Sequence, residues 1–229
     1  MTSTVLIIGA SRGLGLALAR EWLQRNWNVI ATARASGTHD LQKLAETSSC
    51  RLTLEQLDMN DVDAIAALKR RLSGLELDLL FVNAAVANGP GDRVDKVSTE
   101  EFIRIMATNA LSPMRVVETL GTLVRPGGTI GVMSSSLGSV ALNQTGGWEV
   151  YRASKAALNT LMRSYAVRHA EGGRSLALVD PGWVRTDMGG DGATLGIQES
   201  IPGVVDALAA RHGQPGLRFF NYKGETVPW

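Results

Sequence analysis

Short β-branched and apolar runs alternate along this chain with longer stretches whose apolar positions recur every three or four residues. The short runs predict buried strands over Thr4–Ile8, Asn28–Ala33, Leu52–Leu57, Leu77–Val82, Thr129–Met133, Leu176–Val179 and Leu217–Phe220. The periodic stretches predict helices from Leu14 to about Arg25, Leu41–Glu46, Val62–Leu72, Glu100–Leu123, Trp148 to about Ala170 and Val204–His212. Pro113 falls near the middle of the fourth of these and predicts a kink there. Ser134–Gly147 reads as a small-residue loop, and 189–196 as a glycine-rich, mobile one. Strand and helix alternate from end to end. That order predicts an α/β fold, a doubly wound parallel sheet of about seven strands with helices on both faces. The chain shows no linker, repeat or low-complexity segment, so residues 1–229 are read as a single domain.

Composition removes several classes of function. The 229 residues are 45% hydrophobic and 20% charged, with a net charge of +1, so neither nucleic acid nor an anionic membrane is an expected partner. One cysteine, Cys50, excludes an intrachain disulfide, and the three histidines (His39, His169 and His212) are scattered, so no metal site is expected. The first apolar run is too short for a signal peptide or a membrane span, which predicts a cytoplasmic protein.

Two segments carry chemistry. The first strand runs into Gly9-Ala10-Ser11-Arg12-Gly13-Leu14-Gly15 and then a helix. Glycines at that turn let the main chain approach a pyrophosphate, which meets the positive end of the helix. A site for NAD usually offers an acid to the ribose about 20 residues further on. Here no acid appears before Asp40, while Arg34 ends the second strand and Arg12 lies inside the glycine turn. Two guanidiniums suit the 2′-phosphate of NADP, which favours NADP(H) over NAD(H). The second segment is Tyr151-Arg152-Ala153-Ser154-Lys155. On a helix the phenol and the ammonium share one face, and the ammonium is expected to pull the phenol down from its ordinary pKa of about 10. A phenol that exchanges protons easily suits reduction of a carbonyl.

With Gly9-x-x-x-Gly13-x-Gly15 and Tyr151-x-x-x-Lys155 in one chain, the sequence resembles the short-chain dehydrogenase/reductase family over nearly its whole length. The resemblance implies a Rossmann fold and a set of roles. Asp58, with Met59 beside it, matches the adenine contact at the end of the third strand. Phe81-Val82-Asn83-Ala84-Ala85 matches the family's Asn-Asn-Ala-Gly, with Val82 and Ala85 as departures and Asn83 and Ala84 kept. Ile8 stands where a threonine is usual. Asn109 matches the asparagine that holds a water leading to the catalytic lysine. Ser134-Ser135-Ser136-Leu137-Gly138 supplies the catalytic serine, with Ser135 the chosen register and Ser136 its competitor. Pro181-Gly182-Trp183-Val184-Arg185-Thr186 matches the nicotinamide-binding segment, with Val184 and Thr186 as its contacts. Gly146-Gly147-Trp148 and the tail Asn221–Trp229 look most like the sniffer-type carbonyl reductase and C-factor subgroup.

The implied reaction is hydride transfer between NADPH and a small carbonyl compound, with Ser135 steadying the oxygen, Tyr151 as general acid, and Lys155 and Asn109 completing the proton path. Trp148 and Trp183 are read either as pocket walls that stack on an apolar substrate or as core packing. The resemblance also implies a homodimer or homotetramer through the helices near Asn109–Leu123 and Trp148–Ala170. The competing readings are a dinucleotide-binding signalling protein with little catalysis and an NAD-dependent alcohol dehydrogenase.

Overall fold

The computed structural model describes residues 2–35, 37–89 and 93–229. Seven strands form one parallel sheet in the order β3-β2-β1-β4-β5-β6-β7: β1 Thr4–Ile8, β2 Asn28–Ala33, β3 Leu52–Gln56, β4 Leu77–Val82, β5 Val124–Met133, β6 Ser175–Asp180 and β7 Gly216–Asn221. The helices are α1 Gly13–Gln24, α2 His39–Glu46, α3 Val62–Arg71, α4 Thr99–Met106, α5 Ser112–Leu120, α6 Glu149–Arg168 and α7 Ile197–Ala209.

The strands are apolar on both sides because both faces are covered. Leu6, Ile8, Leu80, Val82, Leu176 and Leu178 point into one core with Val116, Val117, Leu158 and Met162 of α5 and α6. Their neighbours in the chain, Val5, Ile7, Leu79, Phe81, Ala177 and Val179, point into the other with Leu18, Trp22, Val204 and Leu208 of α1 and α7. The two-residue alternation of a strand thus sorts one apolar run into two cores. The strand order reverses direction between β1 and β4, and a crevice opens there at the carboxyl ends of the strands. No helix among the described residues is long and apolar enough to cross a membrane.

Three elements differ from the sequence expectation. The single helix expected over Glu100–Leu123 is α4, a π-helical turn at Ala107–Leu111, α5, and a short 3-10 turn at Gly121–Leu123. The break lies upstream of Pro113, which sits in the first turn of α5. α7 begins at Ile197, seven residues before the expected Val204, and carries Pro202 inside it. Pro202 removes the α-helical donor to the carbonyl of Gln198, an exposed residue. β5 begins at Val124 and absorbs Pro126-Gly127-Gly128 through a shift of register against β4.

Candidate active site

The glycine turn is held from two sides. The Gly9 N–H donates to Thr32 Oγ1 at 3.0 Å, and Asn83 Nδ2 donates to the Gly9 carbonyl at 2.9 Å. Gly9 has φ +84°, and a Cβ there would lie 2.5 Å from that of Ala84. A Cβ on Gly15 would lie 2.1 Å from the Gly9 carbonyl oxygen, so only glycine lets α1 seat on the turn. The departures at Ile8 and Val82 leave no gap: both side chains are core, and the Ile8 carbonyl accepts the Asn83 and Ala84 amides at 3.0 and 3.2 Å.

α1 opens without a side-chain cap and without an acid in its first turn. α3 and α4 are capped, by Asp61 and Ser98. The leading amides of α1 are therefore left for an outside anion. Gly13, at φ +54°, faces open space on its side-chain side, with Thr186 Cγ2 nearest at 3.9 Å from a built Cβ. Ser11 and Leu14 flank it, half-buried. These features fit a dinucleotide pyrophosphate. Around them, Arg34 is exposed at the end of β2, its guanidinium pairing with no acid among the described residues. Asp58 is exposed after β3, with Met59 buried beside it. Arg12 has a partner the sequence did not suggest: its Nη1 lies 2.8 Å from Asp187 Oδ2, so an exposed ion pair joins the glycine turn to the loop after β6.

The chemical residues converge beside this cradle. Tyr151 and Lys155 lie on the first turns of α6, which packs so closely on the serine turn that a Cβ on Gly138 would come within 2.8 Å of the Lys155 Cβ. Ser135 follows β5, and its hydroxyl lies against the Tyr151 phenol. The Ser136 amide and hydroxyl face the Asp180 carboxylate. The geometry thus separates the two serines that the sequence left in competition. The Lys155 ammonium is 1% exposed and donates to the Met133 carbonyl at 2.9 Å, with the Tyr151 ring centroid 5.8 Å away. Asn109, fully buried in the π-helical turn, accepts from the Val86 amide at 2.8 Å and donates to the Val86 carbonyl and to Ser154 Oγ at 2.7 and 3.0 Å. Its side chain ties the loop after β4 to α6. Its main-chain carbonyl is left without an α-helical donor, because Pro113, four residues on, has no N–H.

The expected fall in the Tyr151 pKa is not what the structure shows. Burial pushes the phenol well above its ordinary range, the Asp180 carboxylate pushes it further, and the contact with Ser135 only partly offsets them. Burial also lowers Lys155, to about 8, so the ammonium that was to favour the phenolate is itself weakened. Asp180 was not among the residues that the sequence singled out. The signal for it was an acid at the buried end of a strand, directly before Pro181-Gly182.

The walls are built by loops. Gly146, Gly147 and Trp148 are successively left-handed, with Trp148 at φ 53°. Arg152 holds them: its guanidinium donates to the carbonyls of Gly147 and Gly146 at 2.9 and 3.1 Å. The Trp148 ring consequently meets Tyr151 edge-on, with centroids 6.0 Å apart. Trp183 is 56% exposed, so it is no core residue; its indole N–H donates to the Gly189 carbonyl at 2.8 Å. The glycine-rich segment is stapled at both ends, by Leu195 pairing with Val184 and by Gly190 bonding to Thr186. Pro181 is buried, Val184 is buried, and Thr186 accepts the Gly189 amide at 3.1 Å. The tail packs on its own subunit, where the Trp229 carbonyl accepts from Ser139 Oγ and the Ala141 amide, each at 3.1 Å. Among the described residues no cluster of His, Cys, Asp and Glu could hold a metal ion.

The family model for short chain dehydrogenases matches residues 3–194. The chain belongs to the short-chain dehydrogenase family. It is an oxidoreductase of that class, with the fold confirmed over its full length by solved relatives. A short-chain dehydrogenase/reductase from Burkholderia multivorans with bound NADP is 52% identical, with a TM-score of 0.98 and full coverage of both chains. A carbonyl reductase from Pseudomonas aeruginosa PAO1 in complex with NADP is 40% identical, with a TM-score of 0.92 and full coverage of both. The C-signal protein of Myxococcus xanthus is 37% identical over 155 residues, 67% of this short-chain dehydrogenase and 93% of C-signal.

Proposed function

We propose that this chain reduces aldehyde or ketone carbonyls of small molecules to alcohols with NADPH. The observation that carries the reading is the Ser135 hydroxyl against the Tyr151 phenol, with Lys155 one helical turn behind. NADPH, when bound, supplies the hydride. The α1 amides with Gly9, Ser11, Gly13, Leu14 and Gly15 would hold its pyrophosphate, and Arg34 and Arg12 its 2′-phosphate. Asp58 and Met59 would border the adenine, Asn83 and Ala84 the middle of the crevice, and Pro181, Gly182, Val184 and Thr186 the nicotinamide. The Pseudomonas and Burkholderia relatives, both solved with NADP, support the cofactor.

In this reading Ser135 donates to the carbonyl oxygen and steadies the charge that grows there. Tyr151, kept protonated by its surroundings, gives its proton to that oxygen. Lys155, placed behind Tyr151, and Asn109 would pass a proton in from water. Trp148 and the exposed Trp183 would border an apolar substrate. Exposed Ile103, Leu111, Leu161 and Val167 on α4, the π-helical turn and α6 support a homodimer or homotetramer through those helices.

Tyr151→Phe is expected to lower the turnover of a reactive dicarbonyl with NADPH by about 10² or more. Turnover near wild type rejects the mechanism. The similarity to C-signal supports a second reading, a dinucleotide-binding signalling protein. NADPH bound tightly but consumed with no member of a carbonyl panel would decide for it.

A further inference from the structure

β7 is the edge of the sheet, and the chain turns back along it. Asn221 makes the turn: its Oδ1 accepts the Lys223 and Glu225 amides at 2.9 and 3.1 Å, and its own amide donates to the Glu225 carbonyl at 2.9 Å. Phe220 then pairs antiparallel with Thr226, and the Val227 amide donates to the Phe219 carbonyl at 2.9 Å. Val227 is buried in the core. The Trp229 ring rests on Phe219, centroids 5.7 Å apart, with the Arg163 guanidinium of α6 5.8 Å from its centroid. Strand, core and helix together fix where residue 229 lies. What that position delivers is a main-chain oxygen. The Trp229 carbonyl accepts from Ser139 Oγ and from the Ala141 amide, each at 3.1 Å. Ser139 is 1% exposed, and its Oγ also accepts the Leu142 amide at 3.2 Å. On its other side Ser139 ends the serine turn: its amide donates to the Ser136 carbonyl at 3.0 Å, and the Gly138 amide to the Ser135 carbonyl at 2.8 Å.

We propose that Trp229 is a positioning residue that sets the near end of the substrate wall 139–148, and so the fit of the carbonyl compound against Ser135 and Tyr151. The proposal rests on the reading of that loop as a wall of the carbonyl site. The loop runs from the serine turn to the first turn of α6, and it has two ends to be held. Arg152 holds the far one, at Gly146 and Gly147. Between the ends, residues 140–147 are exposed, Val140 by 75% and Leu142 by 45%. The bonds from the Asn143 amide to the Val140 carbonyl and from the Gln144 amide to the Leu142 carbonyl shape the loop without tying it to another element. The near end is therefore placed by the Trp229 carbonyl, whose two lone pairs meet two donors two residues apart. Without that oxygen the Ser139 hydroxyl would be a buried donor left unpaired, a cost that the loop can relieve only by moving. Val140 and Leu142, beside the clamp, are the apolar groups such a movement would displace.

The test separates an effect on the wall from one on the fold. Trp229→Gly removes the ring that places the carbonyl, Trp229→Phe keeps a ring, and Ser139→Ala removes one of the two donors. With NADPH and a reactive dicarbonyl, Trp229→Gly and Ser139→Ala should each raise KM for the carbonyl about fivefold or more, the worth of a hydrogen bond. KM for NADPH should stay at the wild-type value, and Trp229→Phe should recover most of the loss. The double variant should be no worse than the poorer single one, because both break the same contact. Variants that lose thermal stability with the carbonyl KM unchanged, or effects that multiply in the double variant, overturn the proposal. Hydrogen exchange of the Ala141 amide reads the clamp without turnover. It should be about tenfold faster in Trp229→Gly than in wild type, and an unchanged rate also overturns the proposal. Should Trp229→Gly fail to fold, Trp229→Leu takes its place. A wild type with no reductase activity would reject the proposed function and still leave the exchange rate to decide whether Trp229 holds the loop.

Discussion

Lys155 donates its ammonium to the Met133 carbonyl, 2.9 Å away, rather than to the phenol of Tyr151 one turn before it. Its charge is buried and answered by a neutral dipole, which is why its pKa falls to about 8. In the unfolded chain the same amine titrates near its ordinary value, so between the two the unfolded state binds more protons and stability rises with pH. Below pH 8 the full cost of the buried ammonium is present, up to about 3 kcal/mol for a shift of this size. Lys155→Met should therefore gain stability relative to wild type at pH 7, and that advantage should shrink between about pH 8 and 10. Urea unfolding of both proteins at the two ends of that window checks it; a constant difference would contradict the assignment.

The two serines should separate in kinetics as they do in space. Ser135→Ala removes the hydroxyl against Tyr151 and should lower kcat by about 10² or more. Ser136→Ala loosens one contact to Asp180 and should cost about tenfold or less, with KM for NADPH unchanged in both. Steady-state rates of the two variants decide; the reverse order would move the catalytic register to Ser136.

Cofactor choice is expected to follow the exposed guanidiniums. Arg34→Asp should weaken NADPH by about tenfold or more while leaving NADH close to wild type. Asp187 competes for Arg12 at the mouth of the cradle. Asp187→Asn should leave NADPH affinity unchanged or tighten it by up to about fivefold, the range of an exposed ion pair. Fluorescence titration with both nucleotides measures each change. Weaker NADPH binding in Asp187→Asn would show that the ion pair supports the cofactor site instead of competing with it.

Arg152 holds three left-handed residues in place through its bonds to Gly146 and Gly147. Arg152→Leu should release Trp148 from an unfavourable backbone region that costs about 1 kcal/mol or more to occupy. The expected result is a KM for the carbonyl substrate raised about tenfold with kcat changed less, since Ser135 and Tyr151 are held from elsewhere. Arg152→Lys should recover part of the loss.

The apolar side chains left exposed on α6 predict its partner. Leu161→Glu with Val167→Glu should convert an oligomer to a smaller species in sedimentation, with the circular dichroism of the fold preserved. A species of unchanged size would place the interface elsewhere.

The strands were legible where turn-forming residues bracket a β-branched run. Asn28–Ala33 and Leu77–Val82 match the expectation to the residue. The π-helical turn was not, because Ala-Thr-Asn-Ala-Leu suits an α-helix equally well and a wider turn leaves no periodic trace. The proline that accompanies it was visible, but its effect lies upstream, at the carbonyl of Asn109. The spacing of Tyr151 and Lys155 correctly put them on consecutive turns. It said nothing of burial or of Asp180, which reverse the expected direction of the tyrosine's pKa. The serine register and the partner of Arg12 depend on Asp180 and Asp187, both far along the chain, and no local pattern carries that information.

The place of β1 inside the sheet, between β2 and β4, also sets an order of assembly. As the chain leaves the ribosome, β1 and β2 can pair early, but β1 keeps an open edge until β4 arrives. The glycine turn gains its Asn83 tie only then. The serine turn must wait longer, since Val179, whose carbonyl accepts the Ser134 amide, and Trp229, whose carbonyl accepts from Ser139, emerge later still. The glycine turn thus gains its strand-side ties during synthesis before β6 emerges, and a ribosome stalled between β5 and β6 would display that turn without the segment that follows β6.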